Sequence, residues 1–173
     1  SKLDYCSLIW NPDKKEEIDK IERIQRNFTS RISGLEGKNY HERLKILKLY
    51  SLERRRERFL IINAWQQIEG KKENVLKLET GIVGRRRCLK SSTIPTNIGA
   101  KYRTIIQNAT ARQMERLFNA LPYDLQNKDI STDTFKKHLD LWLRNIPDTP
   151  KIDGYGVTVP VESNSIVDQC IAD

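Results

Sequence analysis

The stretch from Ser51 to Gly70 constrains the fold more than any other, because Phe59, Leu60, Ile61, Ile62, Ala64 and Trp65 surround a helical axis there. Successive residues of a helix turn by ~100°, so such a segment leaves no polar side for water and must be enclosed by other elements. It is the expected centre of the core. With 173 residues the chain is long enough to supply that enclosure as one domain, since a domain of roughly 150 residues buries some two thirds or more of its unfolded surface.

The other helical segments carry one-sided patterns. From Asp13 to Ile32 the residues Ile18, Ile21, Phe28, Ile32 and then Leu35 recur on one side at helical spacing. Asp13 and Glu16 have the separation of a capping box, and Gly34 and Gly37 end the segment. Asn39 and Glu42 repeat that separation ahead of a short helix offering Leu44 and Leu47, after which Ser51 caps the long one. A helix from about Arg103 to Ala120 presents Ile106, Met114, Leu117 and Leu121 before Pro122 stops it. Another, Thr132 to Asn145, groups Phe135, Leu139, Trp142, Leu143 and Ile146 in a narrow arc.

Between Lys71 and Ala100 the helical period is lost and Gly81, Gly84, Pro95 and Gly99 punctuate the sequence, with a strand expected around Cys88 to Ile94. Beyond Pro147 come Pro150, Gly154, Gly156 and Pro160. The expectation is a mainly α fold: a bundle of five or six helices over residues 1–146, a small irregular or β-hairpin insertion at about 71–100, and a flexible acidic tail over 147–173.

Charge narrows the partner class. The chain carries a formal net charge of +8 with a mean hydropathy of −0.64. Residues 147–173 hold one base, Lys151, against Asp148, Asp153, Glu162, Asp168 and Asp173, so the rest of the chain is more basic than the total. Such a field draws polyanions, of which nucleic acid is the commonest. The longest aliphatic or aromatic run, Phe59 to Ile62, falls far short of the roughly 20 apolar residues of a membrane helix, and no membrane partner is expected. The chain opens on Ser1 with no basic head leading into an apolar run, as expected of a piece cut from a longer polypeptide. Cys6, Cys88 and Cys170 are odd in number and lack Cys-x-x-Cys spacing, which argues against a disulfide framework or zinc site and for a reducing nuclear or cytoplasmic compartment.

Enzymatic chemistry finds little to stand on. A two-metal polymerase needs closely set carboxylates, and no Asp-Asp pair occurs; the doublet Glu16-Glu17 sits beside Lys14 and Lys15 as solvated charge on a first turn. His41 and His138 are the only histidines and lie in no ligand spacing. A Gly-rich phosphate loop is absent. No catalytic residue, metal or cofactor is therefore expected.

The bases must be sorted. In the first helix Glu16, Asp19 and Glu22 each precede a base, Lys20, Arg23 or Arg26, by four residues, the favourable order for helix pairs. In the run Glu53-Arg54-Arg55-Arg56-Glu57-Arg58, Arg55 and Arg56 flank the side of Leu52 and Phe59, where pairing or snorkelling is expected. Arg54 and Arg58 stand four apart on the opposite side and repel unless an anion joins them, which makes them a phosphate-contact pair. Arg112 and Arg116 repeat the arrangement around Glu115. Arg85, Arg86 and Arg87, with Lys90 three residues on, have no nearby acid and form the foremost phosphate-binding element. Trp65 and Trp142 lie on apolar faces and are expected in the core rather than stacked on bases.

Several strings carry a family resemblance: Tyr5-Cys6-Ser7, Trp10-Asn11-Pro12, Ile21-Glu22-Arg23-Ile24-Gln25-Arg26 with Phe28-Thr29, then Tyr40, Glu42-Arg43-Leu44, Leu47, and Leu49 through Arg56. In this order and spacing they resemble the segment after the catalytic palm in reverse transcriptases of non-LTR retrotransposons, the LINE type. Phe118-Asn119-Ala120-Leu121-Pro122 is similar to that family's Trp-Asn-x-Leu-Pro, with phenylalanine in place of tryptophan, and Phe135-Lys136 through Leu139 resembles the helix that follows. The resemblance implies a thumb-like helical region gripping the template–primer backbone, an RNA–DNA hybrid or duplex, beside the rest of a reverse transcriptase. The finger and palm portions and the metal-binding Tyr-x-Asp-Asp are absent from this sequence. The competing expectation is a degenerate or recruited helical scaffold with solvated basic faces that docks proteins.

Overall fold

In the computed structural model, residues 12, 14–74, 76, 78–83, 86–90, 110–126, 129–150 and 163–171 are described. Among them the chain is mainly helical, with seven helices and one antiparallel hairpin. The order is α1 (Lys15–Thr29), α2 (Tyr40–Leu47), α3 (Leu52–Ile68), β1 (Glu79–Val83), β2 (Arg86–Lys90), α4 (Thr110–Asn119), α5 (Tyr123–Gln126), α6 (Thr132–Leu143) and α7 (Ile166–Ile171). The chain divides into two compact units, one of residues Ser1–Glu57 with Ile146–Asp173 and one of Arg58–Asn145. The first boundary between them falls inside α3.

The first unit has a polar interior. A helix leaves its first N–H groups unbonded, and at the start of α3 each finds a side chain. The Ser51 N–H and hydroxyl donate to Asp148 at 2.8 and 2.7 Å, the Leu52 N–H donates to Glu22 at 2.9 Å, and the Arg54 N–H donates to the Ser51 hydroxyl at 3.1 Å. Glu22 comes from α1. That helix buries Glu22, Gln25 and Thr29, while Ile18, Ile21 and Ile32 are half-buried and Ile24 and Phe28 are 52% and 69% exposed. Of the apolar face expected from periodicity, Leu35 is buried, the three isoleucines are only half-buried and Phe28 points to solvent, because much of what α1 meets is polar. The Tyr40 hydroxyl donates to Glu22, the Gln25 amide donates to the Tyr50 carbonyl at 2.9 Å, and the Arg43 Nε donates to Thr29 at 3.2 Å. The expected Glu22–Arg26 pair does not form, and α1 starts at Lys15 with no side-chain cap on its first turn; Asp13 lies outside the described residues.

Helix α2 has the capping box its spacing predicts, with the Glu42 N–H donating to Asn39 and the Asn39 N–H donating to Glu42. It ends at Lys48 in a left-handed conformation, φ 53°, and the Leu49 N–H donates back to the Leu44 carbonyl. The segment expected as a flexible tail contributes α7 in its described part, with Ile166 and Val167 buried and Asn164 inside the polar network.

The second unit is apolar inside. Leu60, Ile61, Ala64 and Trp65 of α3 are buried, as the encircling pattern predicts, together with Met114, Leu117 and Phe118 of α4, and Phe135, Leu139 and Leu143 of α6. The Trp65 and Phe135 rings stack with centroids 4.4 Å apart. Trp142 is only half-buried. The long helix closes at Gly70, φ 63°, where the Lys71 N–H donates to Gln66 and the Gly70 N–H donates to Gln67, the double bond pair of a left-handed glycine cap. Ser131 caps α6 through the Thr134 N–H.

The hairpin pairs Glu79 with Lys90, Gly81 with Cys88 and Val83 with Arg86. It is fastened to α4 by Asn119, whose amide accepts from the Leu89 N–H at 2.8 Å and donates to the Leu89 carbonyl at 3.0 Å, imitating a third strand. Replacing Asn119 with alanine leaves both Leu89 groups unbonded beside a buried side chain. The expected cost is about 2 kcal/mol, read from urea unfolding; a change below ~0.5 kcal/mol would show that water takes over both bonds.

Candidate nucleic-acid interface

Of the bases expected at a phosphate site, the structure commits several to the protein's own groups. Arg54 is 0% exposed, and its Nη2 donates to the Pro147 and Asn164 carbonyls at 2.8 and 3.0 Å. This corrects the expectation of an outward Arg54, and the reason is chain reversal: residues some hundred positions downstream cover that side of α3 with carbonyl oxygens. Arg56 is buried as well. Within the second unit, Arg58 makes a two-pronged pair with Asp140, at 2.6 and 2.8 Å, so its fork is filled. The pair Arg54 and Arg58 is therefore not assembled as an anion site. Arg112 pairs with Glu115 at 3.2 Å, while Arg116 is exposed on the last turn of α4.

The hairpin retains more of the expected site. Alternation along β2 sets Arg86, Cys88 and Lys90 on one face and Arg87 and Leu89 on the other. Arg87, on the face that Leu89 buries, pairs with Glu69 just beyond α3. Arg86 and Lys90 are exposed. Lys90 runs its side chain across Gly81, where a Cβ would stand 3.0 Å from the lysine Cε, so the glycine makes room for it. Arg86 reaches the Leu121 carbonyl at 3.5 Å, the outer limit of a hydrogen bond. Arg85 lies outside the described residues. What remains exposed is a hairpin face with two cations, Arg86 and Lys90, ~13 Å apart along one strand.

Sequence reasoning missed the enclosed acids of the first unit, Glu22, which is buried, and Glu53 and Glu57, which are half-buried. Glu57 accepts from the Ser165 hydroxyl at 2.6 Å and the Ile166 N–H at 3.0 Å, and burial pushes its carboxyl up to about 7. Glu22 and Glu53 are also pushed above the ordinary carboxylate range, mainly by burial, against the lowering effect of bonds from Tyr40 and Asn164 respectively. Their only sequence signal is adjacency to arginine, which reads as surface pairing. Each bonds to backbone or side-chain donors of its own unit.

Among the described residues no group of three or more His, Cys, Asp or Glu side chains is placed to hold a metal, and no helix is long and apolar enough to cross a membrane. No protein-family model, curated protein or solved structure matches the chain.

Proposed function

We propose that this chain is the part of a LINE-type reverse transcriptase that follows the catalytic palm, and that it holds the backbone of a template–primer nucleic acid without reading its sequence. The observation that carries the reading is the exposed hairpin face of Arg86 and Lys90 on a chain of net charge +8. Phosphate contacts by lysine and arginine release counterions and are indifferent to base identity. On this reading the chain holds, and a palm in the same polypeptide polymerises.

Binding of an RNA–DNA hybrid and of duplex DNA across a salt series tests it. Several unrelated sequences are expected to share a slope of log K against log salt steeper than about −3, the mark of a multi-phosphate grip. Replacing Arg86 and Lys90 together with alanine is expected to make that slope shallower by roughly 2, at ~0.9 per duplex phosphate released. Absence of binding at low salt, with concentration-dependent self-association, would instead favour a protein-docking scaffold.

A further inference from the structure

The outer face of α1 is not used by the hairpin reading. From Lys20 to Arg31 its exposed positions are Lys20, Arg23, Ile24, Asn27, Phe28, Ser30 and Arg31. Between Lys20 and Arg31 this face holds three cations and no exposed acid: Glu22 is turned into the polar interior, the exposed acids of the helix, Glu16 and Glu17, lie on its first turn, and beyond the helix Glu36 is bonded to the Gly34 N–H. Two apolar side chains sit among the cations, Ile24 and Phe28, one helical turn apart. A phenylalanine that is 69% exposed is unusual for a side chain that ordinarily enters a core.

We propose that this face is a stacking platform for unpaired nucleotides, with Phe28 under a base, Ile24 beside it, and Lys20 and Arg31 against the flanking phosphates. The proposal rests on the nucleic-acid reading above and names the form of nucleic acid this face takes. A single strand repeats a phosphate and a flat apolar ring at every residue. The platform offers the complementary alternation, with Lys20 and Phe28 two turns or ~12 Å apart, the reach of a few nucleotides. Aromatic platforms set in positive grooves hold single strands in this way and are tolerant of sequence, because every base has a π-face.

Other occupants fit less well. A second copy docking through the same face would bring Lys20, Arg23 and Arg31 against their own like charges. A helical peptide needs apolar anchors over three turns or more, whereas this face has two apolar side chains. A paired duplex presents no free ring to Phe28.

The test compares oligothymidylate, an abasic strand of equal length and a blunt duplex, each fluorescently labelled, with the wild-type chain, Phe28→Ala and Phe28→Trp. Loss of Phe28 is expected to weaken oligothymidylate binding about tenfold or more, to change duplex binding less than about twofold, and to be restored by tryptophan. The wild-type chain is expected to bind the abasic strand no better than Phe28→Ala does. Equal loss on strand and duplex, or equal binding of abasic and normal strands, overturns the platform while leaving the backbone grip standing. Failure of the wild-type chain to bind any of the three removes both readings. Competition by polyglutamate peptide but not by oligothymidylate assigns the face to an acidic protein and also overturns the proposal. Because Phe28 projects into solvent, the variants are expected to melt with the wild-type protein, which excludes misfolding as the cause.

Discussion

Replacing Arg54 with alanine is expected to cost the first unit about 3 to 5 kcal/mol, the scale of breaking a buried charge arrangement by removing one member. The guanidinium is fully enclosed and bridges the Pro147 and Asn164 carbonyls, with its Nε 4.0 Å from Glu57. Without it, two carbonyls lose their donor and the half-buried acids Glu53 and Glu57 lose a positive neighbour that lowers both their carboxyls. A loss of this size is a large share of a domain's total stability of roughly 5 to 15 kcal/mol, so loss of helical signal well below the wild-type melting temperature is expected by circular dichroism. Lysine is expected to recover only part of the loss: both carbonyls are held by one nitrogen, Nη2, which an ammonium can imitate, but the Nε beside Glu57 has no counterpart on a lysine. A melting temperature within ~2 °C of wild type for Arg54→Ala, where a loss of this size predicts a much larger shift, would refute the view that Arg54 holds Pro147 and Asn164 in place.

The second large effect is a dependence on pH of unusual sign. The Glu57 carboxyl is raised to about 7 in the fold against 4.5 in the unfolded chain, through burial that outweighs the bonds from Ser165 and Ile166 and the attraction of Arg54. In the range between those values the folded state binds more protons than the unfolded one, so stability falls as pH rises through it. The contribution of this group reaches about 3 kcal/mol by pH 8. Glu22 and Glu53 are shifted in the same direction and add to the slope. Urea midpoints are expected to be higher at pH 5.5 than at pH 7.5. Glu57→Gln, which keeps an acceptor for the Ile166 N–H, is expected to flatten part of that slope whatever its effect at a single pH. Midpoints that rise with pH over this window would show that Arg54 outweighs burial at Glu57.

What the sequence revealed and what it concealed follow one physical rule. Elements whose partners are local or apolar are legible: the encircled core helix α3, the box at Asn39 and Glu42, the arc of Phe135, Leu139 and Leu143, and a hairpin within the glycine-punctuated stretch, although its described second strand is Arg86–Lys90 where Cys88 to Ile94 was expected. Elements whose partners are polar and distant are not. Helix α1 was read from its isoleucines, but it buries Glu22, Gln25 and Thr29 because the exposed N–H groups of α3 and the Tyr50 carbonyl need partners. Arg54 reads as an outward charge until residues 147 and 164 arrive to accept from it. Several strings quoted for the family resemblance are architectural here. Glu22, Tyr40 and Arg43 belong to the polar interior of the first unit, Phe118 is core, and Asn119 imitates a strand against Leu89. Of the phosphate-binding expectation, Arg86 and Lys90 remain exposed, while Arg54, Arg58 and Arg87 bond within the protein.

The start of α3 is satisfied by Glu22 on one side and by Asp148, with Asn164, on the other. On the ribosome these groups emerge far apart in time. The second unit is continuous in sequence from Arg58 to Asn145 and can close as soon as it clears the exit tunnel, since domains generally fold as units during synthesis. The first must wait: Ser51 and Arg54 are translated early, and their partners arrive ~100 residues later, a delay of at least several seconds at 5 to 20 residues per second. A chain ending at Ile146 and released from the ribosome would therefore carry a folded middle and an unfinished beginning, with the charge of Arg54 still open to solvent.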